Sequence, residues 1–394
     1  MQNKIVVFFS LILSTLIFTS CNDSPTDIGN ELLNQDNVEV LKFDSSVDSV
    51  YQSSTYFKKI ISLTSADLIL LGKAQNVTSH LMLQFVFATT DTLRQDIKEN
   101  KINVLDSYVE LVKEYSFGSS NGTFDYKAFK INNKWSSFTF TADSFATLSY
   151  NNTDLSSSHS ISPNDSVYSF HLAPSIVTDW LKNNVDTLLG TNNGILVSPT
   201  SNTQKVLGFT GYKVNAINDA RLKVVIQKPG VYTDTLTGFI SSDLSVVIGD
   251  KPSVSSENFA VQSSLAAEAK LFFSLSAIPA NSTINSATLT LTLDSLETKT
   301  GSDYEDALLV YLLKDSTTKE INTNYVYKLS RSGNTYTGLI TNIVRAINNN
   351  VSNQGLLIKP VNELRGLEIF ALKGSNAADK TKRPKLEIVY SRKK

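Results

Sequence analysis

Ala287-Thr288-Leu289-Thr290-Leu291-Thr292-Leu293 is the stretch whose reading decides the fold class. Leucine and threonine alternate with a period of two, so the leucines share one face and the threonines the other, the pattern of an antiparallel strand with one wet side. Outward from it the vocabulary stays the same: short runs of Val, Ile, Phe, Tyr and Thr, broken by Asn, Gly, Ser and Asp clusters. Helical periodicity is confined to two places. Ala173 to Asn183 carries Ile176, Val177, Trp180 and Leu181 on one stripe, and Leu339 to Asn349 carries Leu339, Ile340, Ile343, Val344 and Ile347; each predicts one amphipathic helix of about three turns. Strands without alternating helices predict an all-β chain of two tandem antiparallel β-sandwich domains, jelly-roll-like, each with one short amphipathic helix.

Two domains follow from an internal repeat. Asn192-Asn193-Gly194-Ile195-Leu196-Val197-Ser198-Pro199 follows the first helix, and Asn353-Gln354-Gly355-Leu356-Leu357-Ile358-Lys359-Pro360 follows the second. Ala220 to Ile226 corresponds to Pro384 to Tyr390, Val104 to Leu111 corresponds to Ile284 to Leu291, and Leu81 to Phe87 corresponds to Leu271 to Leu275. A repeat of this length means a duplicated domain rather than a solenoid. Lys228-Pro229-Gly230 is a turn signal between the copies, so the expected division is 37–229 and 230–394. The glycines of the repeated turn are read as backbone devices, since the chain leaving a helix for a strand needs a positive φ.

The N-terminus addresses the chain to the envelope. Lys4 precedes an apolar run from Ile5 to Phe18, the length of a signal-peptide core and short for a membrane span. Thr19-Ser20-Cys21 follows, small residues before a cysteine, which resembles the bacterial lipobox. Residues 1–20 are therefore expected as signal peptide, Cys21 as the lipidation site, and 21–36 as a polar tether. Cys21 is the sole cysteine, which leaves no disulfide and no zinc cluster of thiolates. The expected location is the outer membrane, lipid-anchored, on its periplasmic face or the cell surface.

The order of an I-x-S-A-T-L-x-L strand, an amphipathic helix, N-x-G-L-L-I-x-P and R-P-K-L-x-I-x-Y resembles the DNRLRE-type domain. The residues that carry it are Ser276 to Leu289, Gly355 to Pro360 and Arg383 to Tyr390. It spans most of 259–391 and, more weakly, 79–227. That family is similar to carbohydrate-binding β-sandwich modules of secreted and surface polysaccharide-handling proteins. The resemblance implies a sandwich fold and a polysaccharide partner. The mature start, Cys21 to Leu33, also resembles that of Bacteroidetes lipoproteins, which implies a lineage and not an activity.

Composition narrows the function. With 36 basic and 37 acidic residues in 394, the net charge of -1 offers no field for nucleic acid. Charged residues are 19 %, below the roughly 25 % of ordinary soluble domains, while Ser and Thr together are 86, an exchange that suits an extracytoplasmic β-protein. Three histidines, His80, His159 and His171, lie in no metal-binding spacing, and neither a nucleophile elbow nor a phosphate or dinucleotide loop occurs. The chain is therefore expected to be no enzyme and to need no cofactor. Asp303, Glu305 and Asp306 are a carboxylate cluster, read as a solvated loop or a structural calcium corner ahead of a glycosidase pair. Sugar binding asks for flat aromatic faces beside polar groups, and Trp135, Tyr126 and Tyr150, in a loop-rich stretch, are the expected platform. Trp180 is assigned to the core by its helical register. An envelope protein partner is the alternative to a glycan. Asp-Ser or Asp-Thr before an aliphatic residue or Thr occurs with its hydroxyl at Ser49, Thr92, Ser166, Thr187, Thr235, Ser295 and Ser316. Composition predicts about two; this excess resembles the acceptor motif of Bacteroidetes O-glycosylation, though such dipeptides also start strands.

Overall fold

The structure, a computed structural model, describes residues 38–48, 50–59, 68–160, 166–212 and 219–393; Cys21 and the tether lie outside the described residues. Strand takes 52 % of the chain and helix 11 %, arranged as two large antiparallel sheets in a sandwich-like all-β fold. The leucine–threonine alternation holds in strand Thr283–Thr292, where Ala287, Leu289 and Leu291 are fully buried and the intervening threonines are half-exposed.

The repeat is reproduced in the pairing of its central strands. Strand Ile195–Pro199 pairs with Val77–Phe87, placing Ile195 opposite Leu83; Leu356–Pro360 pairs with Ala267–Phe273, placing Leu356 opposite Leu271. Register thus equates Leu83, not Leu81, with Leu271. In each copy the asparagine before the turn caps the same carbonyl: Asn192 Nδ2 donates to Phe85 O at 2.6 Å and Asn353 Nδ2 to Phe273 O at 2.9 Å. Gly194 and Gly355 adopt φ of 80° and 97°, and a Cβ at Gly194 would sit 2.1 Å from Leu83 O, so the left-handed turn and the close strand both require glycine. The closing strands match too, with Leu222 opposite Val109 and Leu386 opposite Leu289.

Strands are exchanged between the copies. Beyond Lys228-Pro229-Gly230, strand Tyr232–Gly249 folds back onto Arg221–Lys228 and continues along Val77–Phe87, completing the first sheet. The corresponding places in the second sheet are taken by the start of the described chain: Val38–Asp44 pairs with Lys385–Lys393, and Gln52–Lys58 with Ala267–Phe273. The turn at 229–230 is therefore a hairpin inside the first sheet. Sequence repeat and hydrogen-bonded sheet divide the chain at different points, because pairing follows a strand's edge and not its order.

Among the described residues the helices differ from expectation in number. Helices α1 (Asp91–Lys98), α2 (Ala142–Ala146) and α3 (Pro174–Val185) belong with the first sheet, and α4 (Thr341–Asn348) with the second. Only α3 and α4 were legible, α3 through the buried Ile176, Val177, Trp180 and Leu181. In α1 only Leu93 and Ile97 form an apolar pair; Thr90, accepting from Leu93 N, starts it. Leu339, expected on the second helix, instead ends strand Thr335–Leu339 and is 63 % exposed.

Each sheet encloses its own apolar core, and a third cluster joins them: Leu70, Tyr115, Phe117 and Val206 of the first pack on Ala260, Leu265, Leu367 and Ile369 of the second. Tyr115 reaches across, its hydroxyl donating to Glu368 Oε1 at 2.7 Å and accepting from Leu367 N at 2.9 Å. Among the described residues no helix is long and apolar enough to cross a membrane.

Candidate ligand cleft

The segment Thr300 to Asp306, which leads from strand Thr283–Thr292 to strand Ala307–Asp315, lies against this seam. Beside it opens a cleft of about 250 Å³, walled by Asp303, Tyr304, Glu305, Asn362, Arg365 and Phe370, with Glu368 at its base. Its size falls short of the roughly 300 Å³ at which enclosed small-molecule sites begin, so it suits one residue of a longer chain. Tyr304 is 37 % exposed, and its ring lies 6.2 Å from that of Phe370, which backs it. Arg365 bonds Asp303 at 3.0 Å, Lys328 bonds Glu305 at 2.5 Å, and Asn362 Nδ2 donates to the other Glu305 oxygen at 3.3 Å. Asp306 is held behind them by Arg331 at 2.9 Å and by the Tyr336 hydroxyl.

The carboxylates that looked like one cluster thus diverge, each toward a different cation, and among the described residues no group of three or more metal-ligating side chains converges. Glu368 is 3 % exposed; burial raises its carboxyl above the usual range, and the Tyr115 hydroxyl and neighbouring N–H groups pull it partly back. Gly366 leaves the space its carboxylate fills. A flat, backed ring beside an amide, a guanidinium and carboxylates offers a stacking face and hydrogen-bonding groups of both senses.

The aromatic residues singled out from sequence do not form one platform. Tyr126 is 2 % exposed in the first core, between Phe124 and Phe170, and faces no ligand; its strand Tyr126–Lys130 alternates, which reading the stretch as loop concealed. Trp135 is half-buried, its Nε1 donating to Asn193 O at 2.8 Å and its ring edge-on to Phe140, within a small cluster that covers the back of the first sheet. Tyr150 alone of the three is substantially exposed, at 38 %, beside Phe129. Trp180 is fully buried, as its register required. His80 bonds Ser198 at 2.9 Å, with burial pushing its imidazole down to about 4, and His171 bonds Asp106 at 2.8 Å. Of the seven Asp-Ser/Thr hydroxyl positions, Thr92, Ser166, Thr187, Thr235 and Ser295 are exposed and Ser316 is half-buried; Ser49 lies outside the described residues.

Tyr304, Asn362, Arg365 and Glu368 were not legible as a site. Tyr304 stands among carboxylates that dominate its stretch, and Asn362 to Glu368 is a loop without a motif, brought to the cleft only by the turn after Leu356–Pro360.

Compared with known proteins, the chain matches no family model and no curated protein. A solved structure of infectious bursal disease virus, Gx strain, aligns over 91 % of this chain and 78 % of its own at 8 % identity, with a TM-score of 0.11; a superposition that poor carries no argument about fold or function.

Proposed function

We propose that this chain is a lipid-anchored outer-membrane protein, acylated at Cys21, whose paired sandwich units bind an envelope or surface polysaccharide without cleaving it. The observation that carries the reading is the Tyr304 cleft: an exposed ring, backed by Phe370, with Asn362, Arg365 and Asp303 beside it. The lipobox-like Thr19-Ser20-Cys21 and the DNRLRE-type resemblance support the same reading. Binding rather than hydrolysis is favoured because Asp303, Glu305 and Asp306 are each turned toward a different basic side chain, whereas glycosidase chemistry needs two carboxyl groups flanking one glycosidic bond. The test is affinity electrophoresis of the mature chain in gels of neutral and acidic polysaccharides. Retardation lost in Tyr304→Ala and kept in Trp135→Ala is the expected result; no retardation in any gel removes the glycan. Cys21→Ser should abolish metabolic labelling with palmitate.

One observation favours a protein partner instead. Val38–Asp44 is an edge strand, with Val38 and Val40 56 % and 66 % exposed, and among the described residues no strand pairs with its outer side. Unpaired edges are where strands of another chain add. A partner cross-linked at this edge, with no glycan retained, would replace the first reading.

A further inference from the structure

The internal repeat supplies its own comparison for the outer face of the first sheet. Val104–Leu111 and Ile284–Leu291 are the same strand in the two copies, so Tyr108 and Glu110 hold the places of Thr288 and Thr290. In the second copy Thr288 lies between Glu387 and Leu339, and none of these places carries a ring. In the first, Tyr108 lies between Lys223 and His171, its ring 5.5 Å from the imidazole. The inward residues of the two strands, Val109 and Leu111 against Leu289 and Leu291, are equally buried. Tyr108 belongs to no apolar core among the described residues. The fold is thus satisfied by threonine where the first copy places an outward tyrosine.

The neighbouring strands continue the pattern. Phe239 and Val86, paired across their strands, are 47 % and 46 % exposed. His171 Nδ1 donates to Asp106 at 2.8 Å, which fixes the imidazole beside Tyr108. Lys223 Nζ donates to Thr237 Oγ1 at 3.1 Å and keeps two further donors, and Glu110 brings acceptors one outward position along from Tyr108. From Val86 to His171 the face crosses five adjacent strands, about 19 Å. Rings set apart by ionic side chains suit a glycan, which offers sugar faces to the rings and hydroxyls to donors and acceptors alike. The core of a protein interface is, by contrast, poor in charge.

We propose that this outer face of the first sheet, with Tyr108, His171 and Phe239 as its rings, is a second glycan-binding surface, laid across the strands and separate from the Tyr304 cleft. It rests on the glycan reading above. Open to water along its length, it holds a chain less firmly than the walled cleft, so a local probe reads it better than gel retardation does. The chain has three histidines, and the imidazole signal of His171 in the carbon-13-histidine-labelled mature chain is identified by its loss in His171→Gln. The test is titration of that signal with hexasaccharides of β-glucan, mannan, xylan and alginate, the same polymers being cast in the gels. A saturable shift with one of them, weakened about tenfold by Tyr108→Ala and several-fold by Phe239→Ala, is the expected result. Tyr304→Ala and Thr288→Ala, at the equivalent place in the second copy, should leave the titration unchanged. If the hexasaccharide of a polymer that retards the wild-type chain leaves His171 unmoved, the face is wrong and the cleft stands. A shift indifferent to both Tyr108→Ala and Phe239→Ala, in variants with wild-type circular dichroism, also overturns the face. No retardation and no shift with any of the four removes both.

Discussion

Strand exchange makes a crossed prediction for two point substitutions. Phe43 sits in the first half of the sequence, yet its ring is 3 % exposed in the core of the second sheet. Ile240 sits in the second half by repeat order, yet is 4 % exposed in the core of the first. Truncating a well-packed side chain removes its transfer free energy and leaves a cavity, about 3–5 kcal/mol for Phe→Ala and about 2–5 kcal/mol for Ile→Ala. Phe43 is on an outer strand, where neighbours collapse more readily, which puts Phe43→Ala near the lower figure, about 3 kcal/mol; that is roughly a 150-fold rise in local opening. Amide hydrogen exchange read by mass spectrometry locates the loss. In Phe43→Ala, protection should fall in Thr283–Thr292 and Lys385–Lys393, with Asn103–Gly118 unchanged. In Ile240→Ala it should fall in Val77–Phe87 and Arg221–Lys228, with Lys385–Lys393 unchanged. If each substitution instead loosens the sheet of its own sequence half, the exchange is wrong.

Three further outcomes follow from single contacts. Lys228 Nζ holds both oxygens of the buried Asp96, at 2.9 and 2.8 Å; Lys228→Met strands that carboxylate and should cost about 3–5 kcal/mol in urea denaturation, whereas a loss below about 1 kcal/mol would show the pair to be dispensable. Tyr115→Phe leaves the Leu367 N–H and the Glu368 carboxyl without their partner, at a cost of about 2–4 kcal/mol. Because Glu368 is raised by burial, its contribution is full at acid pH and is lost as pH climbs above the ordinary glutamate range. Losing the Tyr115 donor raises it further, so the deficit should be larger at about pH 8 than at about pH 4; an equal deficit at both refutes that account. Burial alone would raise Asp294, but bonds from Lys373, Asn258 and the Leu296 and Glu297 N–H groups hold it at about 2. Its stabilisation is present above the ordinary aspartate range and is lost as pH falls toward about 2, so acid unfolding followed by circular dichroism should be flatter in Asp294→Asn.

The cleft shows why site residues were harder to read than strands. Asp303, Glu305 and Asp306 were visible as a carboxylate cluster, but nothing in their spacing says that Arg365, Lys328 and Arg331 pull them apart. Trp135 and Tyr126 met the compositional criterion for a sugar platform, and packing took Tyr126 into the core. An aromatic ring is as useful to a core as to a ligand, and local sequence does not distinguish the two.

What the sequence determined by itself was whatever rests on local period and backbone geometry. The two-residue alternation at Ala287–Leu293, the stripe of Ile176, Val177, Trp180 and Leu181, and the positive-φ glycines of the two copies are all periods or backbone conformations set within a few residues, whatever partner each later meets. Tertiary structure alone decided which strand lies beside which. Val38–Asp44 and Tyr232–Gly249 each have backbone groups that either sheet's edge would accept, and the choice rests on core residues distant in sequence. The same holds for the Tyr304 cleft: its walls come from Asp303–Glu305 and from Asn362–Phe370, segments some sixty residues apart that the folding of the second unit brings together.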